Sequence, residues 1–259
     1  MDFEYEAVRV EISGAVATLT IDNPKKRNAM TSAAHRDIYR FVQMLDGDRS
    51  LRAGIITGRG DKVFSSGNDV SEFKRPDNFW PKNTLLEAVD RVWNSNTPII
   101  MAINGHCVGG GLELALAGDI IIMSENATLS LPETTLGIIP GACGIQRLAR
   151  CCGVATAKEM ALTGRRMDAR EALSRGIACA VTSSEALMRE AADIAARLSE
   201  RAPLALAVSK RAANAALDTD YNTARLMEQW GEQVLIGTSD FVEGIAAFSE
   251  KRAPEYEGK

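Results

Sequence analysis

The chain has 259 residues, 46% hydrophobic and 25% charged, with 34 acidic against 30 basic side chains and a formal net charge of -4. That composition belongs to a globular protein large enough to bury a sizeable core and excludes a disordered chain; its acidic balance argues against a nucleic-acid partner, because affinity there rests on neutralised phosphates. No apolar run approaches the roughly 18 residues of a membrane span, and the start, Met1-Asp2-Phe3-Glu4-Tyr5-Glu6, has no basic flank or apolar core of a signal peptide, so a cytoplasmic protein with no membrane partner is expected.

Alternation from Tyr5 to Ile12 and from Ala15 to Ile21, with Ser13-Gly14 between, predicts a hairpin. Asn23-Pro24-Lys25-Lys26-Arg27-Asn28-Ala29-Met30 then connects a strand to a helix, capped by Thr31, that carries Ile38, Phe41, Val42 and Leu45 on one face. After a strand near Ala53 to Thr57, Val63-Phe64-Ser65-Ser66-Gly67-Asn68-Asp69-Val70 reads as a loop of small residues whose backbone can approach a ligand. Asp69 is expected to cap a helix beginning near Ser71, and Phe73 to Trp93, with Pro76, Phe79, Trp80 and Pro81, reads as irregular.

The most informative junction follows. The apolar run Ile99 to Ile103 gives way, through Gly109-Gly110-Gly111, to the helix-like Leu112-Glu113-Leu114-Ala115-Leu116-Ala117. A strand feeding such a turn into a helix leaves unpaired N–H groups at the positive end of the helix dipole, a place to hold an anion, with Glu113 one turn in. Taken alone, the glycines serve equally well as a tight turn for close helix packing. Strands near Ile120 to Met123 and Thr128 to Leu131 lead to a second carboxylate, in Leu131-Pro132-Glu133, before the turn-rich Leu136-Gly137-Ile138-Ile139-Pro140-Gly141. Two carboxylates near one oxyanion site point to acid/base chemistry.

Strand and helix alternate up to residue 183, which predicts an α/β unit with crossover connections. From about Ser184 strands disappear: Glu185 to Leu198, Pro203 to Leu217 and Tyr221 to Leu235 all read as helices, so 184–259 is taken as a helical region apart from 1–183. His35 and His106 are too few for a histidine triad or metal site and are read as structural; no metal is expected. Cys107, Cys143, Cys151, Cys152 and Cys179 are odd in number without paired C-x-x-C spacing, so reduced, mostly buried thiols are expected. The triple glycine lacks the P-loop lysine and the G-x-G-x-x-G spacing, which excludes nucleoside triphosphate and nicotinamide chemistry.

The segments around Asn23 to Met30, Val63 to Val70, Gly109 to Glu113 and Leu131 to Gly141, in this order, resemble the enoyl-CoA hydratase/isomerase (crotonase) family, and most of all a bacterial enoyl-CoA hydratase. Gly141-Ala142-Cys143-Gly144-Ile145-Gln146-Arg147-Leu148, Thr163-Gly164-Arg165-Arg166 and Ala247-Phe248-Ser249-Glu250-Lys251-Arg252 extend the resemblance over the whole chain. It implies a spiral of stacked ββα units and a C-terminal helical region that packs against neighbouring subunits in a homotrimer or homohexamer. Phe73 to Trp93 would then sit where the family varies its acyl pocket.

The implied substrate is an acyl-CoA thioester, with coenzyme A entering as part of the substrate and no other cofactor. The resemblance implies an oxyanion hole of the Ser66 and Gly110 N–H groups, Glu113 positioning and activating water, and Glu133 handling the α-proton. It places the pantetheine arm along Ser65, Ser66, Gly67, Asn68, Asp69 and Val70, with Gly110 and Gly141 beside it. The phosphates would meet Lys26, Arg27 and, across a subunit boundary, Phe248 and Lys251. Arg27 and Cys143 depart from the pattern, since an aliphatic residue and a glycine are common there. Three alternatives follow from the same resemblance: a double-bond isomerase, to which Ser65-Ser66-Gly67-Asn68-Asp69 has some likeness; a carnitinyl-CoA dehydratase, to which Thr163 to Met167 is similar; and a non-catalytic RNA-binding relative, against which the acidic balance and the two glutamates argue.

Overall fold

The computed structural model describes residues 5–73, 83–216 and 218–259. β1 (Val8–Ser13) and β2 (Val16–Ile21) form the expected antiparallel hairpin, closed by Gly14 at φ +58°. A 3₁₀ turn at Pro24–Lys26 leads to α1 (Ser32–Gly47), where Thr31 Oγ1 accepts the Ala34 N–H at 3.2 Å and Ile38, Phe41, Val42 and Leu45 are buried.

Three strand pairs follow: β3 (Ala53–Gly58) with β4 (Val63–Ser65), β5 (Ile99–Ile103) with β6 (His106–Val108), and β7 (Ile120–Ser124) with β8 (Thr128–Ser130). Each pair gives its first strand to a six-stranded sheet of order β1-β2-β3-β5-β7-β10 and its second to a four-stranded sheet of order β4-β6-β8-β9. After the pairs come α2 (Thr84–Trp93), α3 (Gly110–Ala115), and α4 (Gly144–Cys152) with α5 (Val154–Thr163). This repetition is the stacked ββα spiral. β9 (Met167–Asp168), α6 (Ala169–Ser174) and β10 (Ala180–Thr182) complete the sheets. The chain changes sheet at corners where side chains do not fit: a Cβ on Gly105 would lie 2.1 Å from the Lys62 carbonyl, and one on Gly58 2.3 Å from the Phe64 oxygen.

Several expectations are corrected here. β6 stands between the Ile99–Ile103 run and the triple glycine, so the strand that feeds the turn is three residues long, too short to show a period. Val63–Ser65 is likewise a strand, at the edge of the four-stranded sheet, with β6 supplying the pairing. Thr84–Trp93 is a regular helix with Asn83 as its cap, not irregular chain; Pro76, Phe79, Trp80 and Pro81 lie outside the described residues. Of the cysteines only Cys107 is fully buried; Cys143, Cys151 and Cys179 are exposed and Cys152 is intermediate, all five as free thiols.

α7 (Leu187–Ser199) covers the other face of the large sheet, with Leu187, Ala191 and Ala195 against Ala53, Ile55, Ile100, Ala102 and Ile122. It therefore belongs to the core, and the helices that stand off it begin with α8 (Pro203–Ala215), followed by α9 (Tyr221–Ile236) and α10 (Ser239–Glu250). Lys210 on α8 ties them back through Asp119 at 2.9 Å and the Val92 carbonyl at 3.2 Å. Among the described residues no helix is long and apolar enough to cross a membrane, and no group of side chains could hold a metal ion. His35 and His106 are each bonded through Nδ1 to a threonine hydroxyl, Thr84 at 2.9 Å and Thr128 at 2.8 Å.

Candidate active site

The Gly109 turn brings the small-residue loop after β4, the start of α3 and the 3₁₀ turn at Glu133–Leu136 around one cleft. Its lining includes Ser66, Gly67, Asn68, Val70, Gly110, Glu113, Glu133 and Gly141.

Gly110 opens α3, so its N–H has no acceptor within the helix and faces the cleft. Gly67, at φ +93°, approaches so closely that a Cβ there would lie 3.2 Å from the Gly110 nitrogen. Only glycine meets both demands. The Ser66 N–H, expected to be the second donor, is bonded instead to the Arg27 carbonyl at 3.1 Å. Two residues on the geometry differs. Met30 bridges in parallel to Asn68 by donating to the Gly67 carbonyl and accepting from the Asp69 N–H, which turns the Asn68 N–H to the opposite side. Among the described residues no carbonyl accepts from the Asn68 or the Gly110 N–H. Those two donors are the pair free for an oxyanion, and the parallel bridge that selects Asn68 over Ser66 is invisible in sequence.

Glu113 is 2% exposed, its Oε1 accepting the N–H groups of Ala142 at 2.6 Å and Gly144 at 3.1 Å. Burial raises its pKa, opposed by those N–H groups and by the Arg147 cation. Glu133 is held differently. One carboxylate oxygen lies against Gly109, where a Cβ would come within 2.9 Å, and the other is buried without a partner. Burial, with the Glu113 charge adding to it, pushes Glu133 up to about 7. Two carboxyl groups on one cleft thus have unequal surroundings, the pattern by which acid and base roles are separated.

Other expected ligand residues are occupied. Ser65 is fully buried, donating to the Asn28 carbonyl at 2.8 Å and accepting the Gly67 N–H at 3.1 Å, so it shapes the loop rather than touching a ligand. Asp69 caps the short 3₁₀ turn Val70–Glu72 through Ser71 and pairs with Lys26 at 2.6 Å, which together hold it down to about 2. It too is a scaffold residue, and the Lys26 charge is shared with it. Val70 and Gly141 line the cleft; Arg27 is exposed and in a left-handed conformation, outside that lining. Phe248 and Lys251 lie at the end of α10, outside the lining of their own chain's cleft.

A model of the family Enoyl-CoA hydratase/isomerase matches residues 11–259. The chain belongs to that family. Among its relatives, Bacillus subtilis YngF, whose name leaves both activities open as enoyl-CoA hydratase/isomerase, is 39% identical over 250 residues, covering 94% of this chain and 95% of that one. A carnitinyl-CoA dehydratase of Salmonella typhi is 38% identical over 264 residues, covering 98% and 99%. The crystal structure of an enoyl-CoA hydratase from Bacillus anthracis superposes with a TM-score of 0.91 at 33% identity over 98% of this chain and 100% of that one. The α/β spiral is therefore the crotonase fold.

Both departures from the family pattern, Arg27 at φ +54° and Cys143, take a left-handed backbone conformation. Cys143 sits at φ +68° where a glycine is common, a left-handed conformation that costs an L-residue roughly 1–2 kcal/mol. Cys143→Gly is expected to raise stability by about 1 kcal/mol, read from the urea midpoint; an unchanged or lower midpoint would show that the exposed thiol side chain offsets the strain.

Proposed function

We propose that the chain is an enoyl-CoA hydratase, adding water to or removing it from the double bond of an acyl-CoA thioester. The observation that carries this reading is the pair of differently held carboxyl groups, Glu113 and Glu133, beside the free N–H groups of Gly110 and Asn68. Water attacks the β-carbon as Glu113 takes its proton. The double-bond electrons move onto the thioester oxygen, where the two N–H groups stabilise the enolate charge. Glu133, neutral below about 7, gives its proton to the α-carbon. Dehydration runs the same steps backwards, with Glu133 ionised.

Coenzyme A arrives with the substrate, its pantetheine arm along Ser66 to Val70 and its phosphates near Lys26 and Arg27. Trp230, Val234, Val242 and Phe248 are 66% exposed or more on α9 and α10, the kind of apolar surface that a subunit interface covers. A homotrimer or homohexamer built on those helices would bring Phe248 and Lys251 of one copy to the CoA of the next. A cytoplasmic setting completes the reading.

The test is loss of the conjugated enoyl-thioester absorbance with crotonyl-CoA, with the product identified by chromatography. Formation of 3-hydroxybutyryl-CoA is the expected outcome. Inertness toward crotonyl-CoA and toward branched and cyclic 2-enoyl thioesters would overturn hydration. Turnover of a 3-enoyl or a carnitinyl thioester would then establish the isomerase or the dehydratase reading. Salt-sensitive RNA binding without turnover would establish the binding-protein reading.

A further inference from the structure

We propose that Arg147 is a positioning residue: it locks the turn from Gly141 to Gly144 in the conformation that aims two N–H groups at Glu113, and so gives the two glutamates their different roles. The inference rests on the hydratase reading for what those roles are, but the contacts stand by themselves.

Arg147 lies in α4 and is 7% exposed. Its Nη1 donates to the Ala142 carbonyl at 3.0 Å, its Nη2 lies 3.6 Å from Asp90 on α2, and the guanidinium sits 4.8 Å from the centre of the Trp93 ring. The carbonyl it holds belongs to the peptide between Ala142 and Cys143. The peptides on either side supply the N–H groups that meet Glu113 Oε1. One anchor on the middle carbonyl thus turns both flanking N–H groups toward the carboxylate. The turn needs an anchor, since Cys143 at its centre is left-handed and an unrestrained L-residue leaves that region. Glu133 has no such grip on its buried oxygen.

The charged and titratable groups around this unit are few. Arg147 from α4 acts on Glu113, and Glu113 in turn on Glu133; Cys143, Asp90 and Glu113 act on Arg147, which also faces Cys151 on its own helix. With burial pushing both glutamates toward the neutral form, Arg147 is the cation that opposes it for Glu113. Without it Glu113 loses its orientation and titrates at higher pH, approaching Glu133 in behaviour.

The experiment compares Arg147→Met, similar in length and uncharged, with Arg147→Lys in the full chain. Arg147→Met is expected to lower kcat about 10- to 100-fold with KM little changed, the signature of misplaced rather than missing contacts. The acid limb of kcat/KM should move to higher pH, and Arg147→Lys should restore its position. A readout that needs no turnover is the ¹³C titration of the Glu113 carboxyl in a Glu133→Gln background, assigned by its loss in Glu113→Gln. It should shift to higher pH in Arg147→Met. A lower melting temperature with an unmoved acid limb and an unmoved Glu113 titration would leave Arg147 a packing residue and overturn the proposal. If the wild type hydrates no enoyl thioester, the hydratase reading fails; an unmoved Glu113 titration in Arg147→Met would then defeat the positioning role as well.

Discussion

Glu133→Gln is expected to lower the hydration kcat by about 10²- to 10⁴-fold, because the amide cannot deliver a proton to the α-carbon. The fold should survive, since the carboxyl carries a buried oxygen without a partner and the amide is nearly the same size. The wild-type pH profile follows from the same surroundings. Hydration needs Glu133 protonated, so kcat/KM should fall as pH rises through about 7; dehydration needs it ionised and should rise over that range. The two glutamates interact, so the limbs report the pair. The variant should lose this limb.

Stability supplies an independent check with a definite sign. A carboxyl group whose folded pKa is raised favours the folded state at low pH, and that contribution is lost as pH rises from its ordinary 4.5 through about 7. Glu133→Gln should therefore melt above wild type at pH 8, with the gain shrinking as pH falls toward 4.5. Equal melting shifts at pH 8 and pH 4.5 would show that Glu133 is not raised. Unchanged turnover would remove it from the reaction altogether.

Gly105→Ala is expected to cost about 3 kcal/mol or more, a large share of the roughly 5–15 kcal/mol that holds an ordinary protein folded. A Cβ there would meet backbone atoms of Lys62 at 2.1 Å, and backbone cannot rotate aside as a side chain can. The same Lys62 carbonyl accepts the His106 N–H at 2.9 Å, so a shift opens the start of the β4 to β6 pairing. Ser66 to Asp69 follow directly from β4, and the damage should reach the oxyanion loop: any protein recovered should lose kcat as well as melting temperature. Gly47→Ala is the control, because a Cβ there meets nothing within 4 Å. Equal melting temperatures for the two variants would refute the corner argument.

How much of this was legible beforehand differs by element. The hairpin and α1 with its Thr31 cap announce themselves by their periods, and β3, β5 and β7 as continuous apolar runs buried on both faces. β4 and β6 do not, being three residues each and stabilised by neighbours far away in sequence. Gly109-Gly110-Gly111 and the glutamates at 113 and 133 mark the site from sequence, since the turn, the open helix start and the carboxyl groups are properties of those residue types.

Which groups are left free there was decided only by the tertiary structure. Ser66 and Asn68 look interchangeable as backbone donors until Arg27 and Met30 take their places, consuming one N–H and freeing the other. Ser65 and Asp69 carry the right chemistry for ligands but spend it on the chain around them, and Lys26 shares its charge with Asp69. Glu113 and Glu133 are the same residue type, and only the N–H groups of Ala142 and Gly144, with Arg147 behind them, make them different. Sequence fixes which functional groups the chain possesses, because that is covalent; whether a donor is free and a carboxyl is charged depends on partners and burial, which exist only once distant segments have met.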